Sequence, residues 1–598
     1  MLRAFVTSLA IALALAAPGA RSAPAKVLRY AFEIAETSFD PQFISDVYSN
    51  IVNQGMFDAP LAYDYLARPV KLRPNTLVAM PEVSADGTTY TLRVKPGIYF
   101  ADDPAFGGRK RELTAADYVY SMKRVLDPQV KASQIAEVEE YVVGADAAAG
   151  AARKAGRFDY DAPVEGLRVI DRYTFQVRLK APNYVFIYHF ADCRISCAMA
   201  REVVEKYGDD IGAHPVGTGP WKLVFWKRSS KMVFERNPGY REEYFDADPP
   251  ADDAVSQAIL ARNKGRRLPM IDRVEISVIE ETQPRWLSFL NEEMDLIFLV
   301  PEEYAYQAFP NHHVAANLAR RGIEMHQVPA LDLTYNFFNM DDSVVGGYTA
   351  DKVALRRAIC LSYKVQDEIS ILRKGQAIPA DTPYSPGVAG YDPLFHTTAV
   401  DYDVPKARAL LDMYGYVDRD GDGYREMPDG SPLVLHYYST PTSRDQQFDE
   451  LWKRSLDDIG IKLEIEKRKW PDILKAARLG KIQFWQLGNA ATSPDADSWL
   501  INLYSKQLEN NFARFNLPAY DKLFEQARRT PDSPERTHLY QEMTRLLVAY
   551  APWKFNTHRI RTDMWYPNVI GYRKSPITNY NFWKYVDIDP GRGRLAAR

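Results

Sequence analysis

Two carboxylates stand two residues apart in a run of small residues, WQLGNAATSPDADSW, Trp485 to Trp499, that is closed at each end by an indole. Three readings fit Asp495 and Asp497 in that setting. In the first, Asp495 holds a ligand cation. In the second, Asp497 caps a helix beginning near Ser498, because aspartate accepts readily from the free N–H groups of a first turn. In the third, both belong to a solvated loop. Trp485 and Trp499 read as core residues in preference to pocket walls.

A second oxygen-rich stretch is DRDGDGYREMPD, Asp418 to Asp429. It sets acids at positions 1, 3, 5, 9 and 12 of a loop with glycine at position 6, the spacing of a calcium loop, so Asp418, Asp420, Asp422 and Asp429 are candidate ligands for a structural ion. Against that reading, Arg425 occupies a position usually apolar, Asp429 is shorter than the usual glutamate, and a strand pattern follows. The same residues also serve as an acidic helix-to-strand connection, with Gly421 and Gly423 supplying tight turns. Cys193 and Cys197, in DCRISC, can close a small disulfide loop in an oxidising compartment and leave Cys360 buried and free. One close cysteine pair with no histidine at finger spacing is a poor zinc site. The nine histidines, His312 and His313 among them, form no catalytic pattern, and neither a zinc-protease helix nor a nucleophile elbow is present. Binding is therefore favoured over turnover, with a secreted hydrolase as the competing class.

These groups need positioning by a large chain. Its 598 residues exceed one domain, and 46% aliphatic and aromatic against 26% charged residues is the balance of a globular protein. Lys plus Arg (75) nearly cancels Asp plus Glu (78), which argues against a nucleic-acid partner. The opening MLRAFVTSLAIALALAAPGARSAPAK has a basic start, an apolar run too short to span a membrane, and small residues near Ser22 and Ala25. Residues 1–25 therefore read as a secretory leader. With no cysteine near the cleavage site to take a lipid, the mature protein is expected free in the periplasm.

Along the mature chain, KVLRYAFEI and VIDRYTFQVRLKAPN alternate as strands, and Asp40-Pro41 is expected to open a helix. LTAADYVYSMKRVLDP reads as an amphipathic helix capped by Thr114 with Asp117 completing the start. RVEISVIEETQPRWLSFLNEEMDLIFL reads as strand, helix, strand, an alternation that continues through the second half and implies helices over a mixed sheet.

The ordered set FDPQFISDVYSN, DGTTYTLRVKPGIYF, LTAADYVYSMKRVLDP, PVGTGPWKL, ERNPGY, LTYNFFNM, LRRAICLSYK, VPKARALLDMYGY, SLDDIGIKLEIEKRKW and YAPWKFN resembles the family 5 extracellular solute-binding proteins, receptors of ABC importers, over nearly all of the mature chain. The resemblance implies an α/β fold of the two-lobed periplasmic binding type, type II with an extra small domain, closing as a hinge on its ligand. Lobe I would comprise residues 26–70, 198–300 and 550–598, the extra domain 71–197, and lobe II 301–549. It further implies a monomer that delivers a peptide or peptide-like solute to a membrane permease, with an oligosaccharide, opine or haem-like compound as the alternative solute. No cofactor is implied beyond the calcium reading. Peptide-binding members carry an aspartate that meets the ligand's α-ammonium in a motif like Gly-Trp-x-x-Asp-Tyr-x-Asp-Pro. Aligning DSWL without gaps sets Thr492 at that aspartate and Asn489 at the tryptophan, which suits an uncharged polar group. Phe39, Tyr335 and Asn336 complete the expected ligand-binding set with Thr492, Asn489 and Asp495.

Overall fold

The computed structural model describes residues 25–491, 493–507, 509–577 and 580–592. Of the expected leader only Ala25 falls among them. The first lobe is built on the strand Val27–Phe32, whose Leu28, Tyr30 and Phe32 are buried as the alternation predicts. It runs parallel to Arg273–Val278, which continues antiparallel to Lys231–Arg236 and then to Trp221–Lys227. The helix expected at Asp40-Pro41 starts later, at Val47, where the Asp46 side chain accepts from Ser49 N at 2.7 Å. Asp40 is diverted because Arg124 donates to both of its carboxylate oxygens at 2.8 Å in a buried fork. Gly217 and Gly219, in PVGTGPWKL, fit under the C-terminal end of the helix Val47–Met56. A Cβ at Gly217 would stand 2.1 Å from the Met56 carbonyl oxygen, so the glycines serve close backbone packing.

A smaller sheet, in the order Glu82–Val83, Thr89–Arg93, Thr174–Arg178, Leu167–Val169, builds the additional domain. The adjoining helix Ala115–Arg124 begins with the expected capping box of Thr114 and Asp117. Cys193 and Cys197 are joined by a disulfide within a short helical turn of the same region. Cys360 is free and only partly buried, in place of the full burial expected.

The second lobe holds an eight-stranded mixed sheet whose central path is Leu296–Ile297, Trp553–Trp565, Asp332–Phe338, Phe484–Ala490, Val434–Ser439, Lys462–Lys467. Apolar residues pack on both faces. Tyr335, Trp485, Trp499 and Trp553 lie on one, and Phe338, Leu435, Trp452 and Phe484 on the other. The strand Trp553–Trp565 belongs to both lobes. Its first half pairs with Asp332–Phe338, and its second half pairs with Glu324–Pro329 and, at Met564 and Trp565, with Leu296–Ile297. The expected boundary at 550 precedes this strand, so the segment 550–598 contributes to the second sheet before it enters the first lobe.

Candidate ligand-binding cleft

The strand Phe484–Ala490 is fully paired with Asp332–Phe338 on one side. On the other side, Val434–Ser439 reaches only Phe484 and Trp485. From Gln486 onward that edge has no strand partner among the described residues, so its N–H and C=O groups are open to another chain.

Three cavities surround this edge. One, of about 240 Å³, lies between Glu137, Tyr141, Tyr188 and His189 of the additional domain and Tyr335, Asn489, Asp497 and Arg528. A second, of about 200 Å³, is walled by Gln54, Tyr63, Asp192 and Arg194 and, opposite, by Ala490, Ala491 and Ser493. A third, of about 180 Å³, is lined by Arg373, Arg444, Arg559 and Trp470. Ala490 and Ser493 border the first and second, and Leu487 and Gly488 the first and third, so the strand's end is their common wall.

Charge in these cavities is held in pairs. Arg528 donates from Nε and Nη2 to the two oxygens of Asp497, each at 2.8 Å, and from Nη1 to the Tyr141 hydroxyl at 2.7 Å. That last bond crosses the cleft from lobe II to the additional domain. Burial works against the Arg528 charge, but Asp497 outweighs it and holds the guanidinium above its usual range. Glu137 lies 3.3 Å from His189 Nε2. Burial pushes its carboxyl up, while the His189 hydrogen bond and charge more than offset this and leave it below the usual carboxylate range. Asp192 caps the turn beginning at Cys193 and accepts from Arg194 Nε and Nη2 at 3.0 and 2.6 Å, which likewise keeps it low against burial.

The residues expected from the sequence separate into three groups. Tyr335 and Asn489 reach the first cavity, and the Tyr335 ring stacks on Trp553 at 4.0 Å. Asp495, Asn336 and Phe39 do not line the cleft. Asp495 is wholly buried, accepting from Arg536 Nη2 at 3.0 Å, the Tyr540 hydroxyl at 2.8 Å and Asp497 N at 3.0 Å. Burial lifts its carboxyl while Arg536 draws it down. Asn336 points to the opposite face of its strand from Tyr335 and accepts from Asn556 Nδ2 at 2.9 Å. Phe39 is buried in the first lobe against Trp226, with ring centroids 5.0 Å apart. Thr492 lies outside the described residues. Asp497 is not the cap either, since it opens the helix Asp497–Leu500 with its carboxylate turned to Arg528. The sequence does not single out Arg528, Tyr141 and His189, because each gains its place through a partner distant in the chain, whereas Asp192 is held by the turn it caps and by Arg194 two residues on.

Asp418, Asp420 and Asp422 converge with Glu426, their oxygens all within 4.8 Å of one another. Asp429 is turned away to Ser431. This oxygen-only set suits a hard cation, yet the loop already uses it, with Asp418 accepting from Gly421 N and Gly423 N. Among the described residues, one Ser–His contact bears on hydrolysis, Ser385 Oγ to His558 Nδ1 at 3.2 Å. The same ring nitrogen faces the Asp332 carbonyl at 2.6 Å and must carry its proton there, and the serine donates to backbone carbonyls, so no base is poised on it.

A family model described as bacterial extracellular solute-binding proteins, family 5 Middle, matches residues 71–511. The di/tripeptide-binding protein 2 of Pseudomonas aeruginosa is 27% identical over 586 residues, covering 95% of this chain and 96% of that protein. The periplasmic binding protein DppA of Helicobacter pylori, in complex with the peptide STSA, superposes with TM-score 0.67 at 21% identity over 94% of this chain and 98% of that one. NikA of Brucella suis, in complex with Fe(III)-EDTA, does so with TM-score 0.71 at 17% identity over 94% and 100%. These likenesses share the two-lobed α/β fold.

Proposed function

Because the chain belongs to the bacterial extracellular solute-binding proteins of family 5, we propose that it is a periplasmic receptor that closes its lobes on a short peptide and delivers it to an ABC permease. The observation that carries this reading is the open edge of Gln486–Ala490 set among three cavities. An extended peptide adds to such an edge through main-chain hydrogen bonds, while its side chains enter flanking pockets in alternation. Sequence tolerance follows from this, because the backbone is the same for every peptide. The relative from Pseudomonas aeruginosa, named for di- and tripeptides, supports the same solute class.

Closure is the signal that such a receptor offers its permease. A peptide that touches both walls stabilises the closed state by the difference in its affinity for the two states, and contacts such as Arg528 to Tyr141 complete it. The protein is expected to act as a monomer and to release its ligand unchanged.

The test is native mass spectrometry of the protein purified from a periplasm, followed by denaturation and identification of what it held. A bound peptide supports the reading. A sugar, an opine or a metal chelate in its place would overturn the peptide assignment, and a cleaved peptide would overturn the receptor.

A further inference from the structure

A further cavity, of about 30 Å³, shares no wall residue with the three around the open strand edge. Arg357 and Cys360 reach it from the helix Ala350–Ser362, Lys406 from the first turn of the helix Val404–Met413, and Trp553 and Lys554 from the start of the strand Trp553–Trp565. Its polar side chains are mostly donors. Lys554 is 1% exposed, and its ammonium gives two of its three N–H bonds to the carbonyls of Ala399 and Phe555, each at 2.9 Å. The indole N–H of Trp553 is buried without an acceptor. Arg357 and Lys406 are exposed, and neither side chain enters an ion pair or a hydrogen bond among the described residues.

Negative charge is scarce around these donors. Asp401, exposed, is the one acid in the wall. Glu368 also acts on Lys554, but it is committed to Arg373 Nε and to the Tyr363 hydroxyl, each at 2.7 Å. Cys360 adds no charge, because burial pushes its thiol up to about 11 and keeps it a weak S–H donor. Three cations therefore share a single carboxylate. Burial presses the Lys554 pKa down, and Glu368 and Asp401 oppose it only in part. A desolvated charge without a counter-charge is strongly unfavourable. Size narrows what could supply one. A water needs about 10–15 Å³ of such space, so there is room for a group of one or two waters' bulk, which admits a halide and excludes sulfate, phosphate or a peptide.

We propose that this cavity is a chloride site, in which the Lys554 ammonium holds the ion and Arg357 and Lys406 draw it in from the surface. The ion accepts the third N–H of the ammonium and is the counter-charge that the surrounding side chains do not provide. The site stands apart from the peptide reading, since it takes no residue from the cleft cavities. It nevertheless lies against their support, for Trp553 stacks on Tyr335 at 4.0 Å and Tyr335 lines the first cavity. Bound chloride would thus brace the seam where two helices meet the strand behind the cleft.

Crystals of the intact mature protein grown in sodium bromide, with anomalous data collected above the bromine edge, test this. A bromide peak within hydrogen-bonding reach of Lys554 Nζ is expected. Calorimetry at constant ionic strength, with sodium chloride exchanged for sodium gluconate, should show the melting transition rising by about 3–6 °C for each tenfold of chloride above its Kd, the increment for one ion bound only by the folded state. Bromide should replace chloride and sulfate should not. Lys554→Met should abolish the response, and Arg357→Gln, at an exposed position, should weaken the apparent chloride affinity by about two- to fivefold. Absence of a bromide peak at Lys554 overturns the inference, and so does an equal rise with sulfate or a chloride response that survives Lys554→Met. If Lys554→Met does not fold, the bromide map of the wild type and the affinity of Arg357→Gln still decide.

Discussion

Replacing Asp495 with alanine separates a ligand-binding carboxylate from a structural one. In the structure this side chain takes three buried donors: a guanidinium, a phenol and a backbone N–H. Removing one partner of a buried ion pair costs about 3–5 kcal/mol, because the other is left desolvated and charged. Arg536 keeps a second carboxylate, the exposed Asp532 at 3.0 Å, which places the expected loss near the low end, at about 3 kcal/mol. For a lobe of a few hundred residues that corresponds to a fall of about 6–12 °C in its melting transition. Calorimetry of the unliganded protein reads this directly. The double variant Asp495→Ala with Arg536→Met should recover much of the loss, since it removes the stranded charge as well as its partner. Asp495→Asn keeps an acceptor for Tyr540 and should fall between the two. The reasoning is refuted if Asp495→Ala melts within about 1 kcal/mol of wild type yet no longer binds peptide, for the carboxylate would then serve the ligand.

Three further outcomes are expected. Tyr141→Phe removes the hydroxyl that accepts from Arg528 across the cleft. It should weaken peptide binding by about three- to tenfold without lowering the unliganded melting temperature, as titration and calorimetry together would show. Glu243 is held at a pKa of about 2, because Lys584 and Arg241 outweigh the effect of its burial. The stability from its depressed folded pKa is full above the unfolded value, near 4.5, and disappears as the pH falls through about 2. Urea unfolding of the wild type against Glu243→Gln should thus show a gap of about 3 kcal/mol at neutral pH that closes on acidification, and a gap independent of pH would contradict the ion pair. Thr492→Asp should create or strengthen a preference for peptides with a free amine over N-acetylated ones in competition binding, and no change in a folded protein would count against the alignment that sets Thr492 at the ammonium site.

Local features of the fold were open to reading, because they depend on near neighbours. The alternation in Val27–Phe32 and the capping box of Thr114 and Asp117 are short-range patterns, and both stand in the structure as expected. Side-chain commitments were not, because they depend on partners far along the chain. Asp495 and Asp497 differ by two residues, yet their partners Arg536 and Arg528 come from two different helices, Pro534–Tyr550 and Pro518–Arg528. One signal was available and unused. Arg536 and Tyr540 are one helical turn apart on a single face, a pair of donors waiting for an acceptor. Another was a matter of geometry: Tyr335 and Asn336 are adjacent in a strand, so they could not both face one cavity. The calcium-like loop shows the limit of spacing as a guide, since Glu426 joins the acids and Asp429 does not.

The shared strand Trp553–Trp565 also bears on how the chain acquires its shape. The eight-stranded sheet is not complete until the last tenth of the polypeptide has arrived, and Trp583 near the far end packs on Tyr30 near the start, its Nε1 donating to that hydroxyl at 2.8 Å. Contacts between residues so distant in sequence close late and slowly. A chain emerging end first therefore stays unfinished until nearly all of it is available, a state that suits threading through a membrane pore before folding.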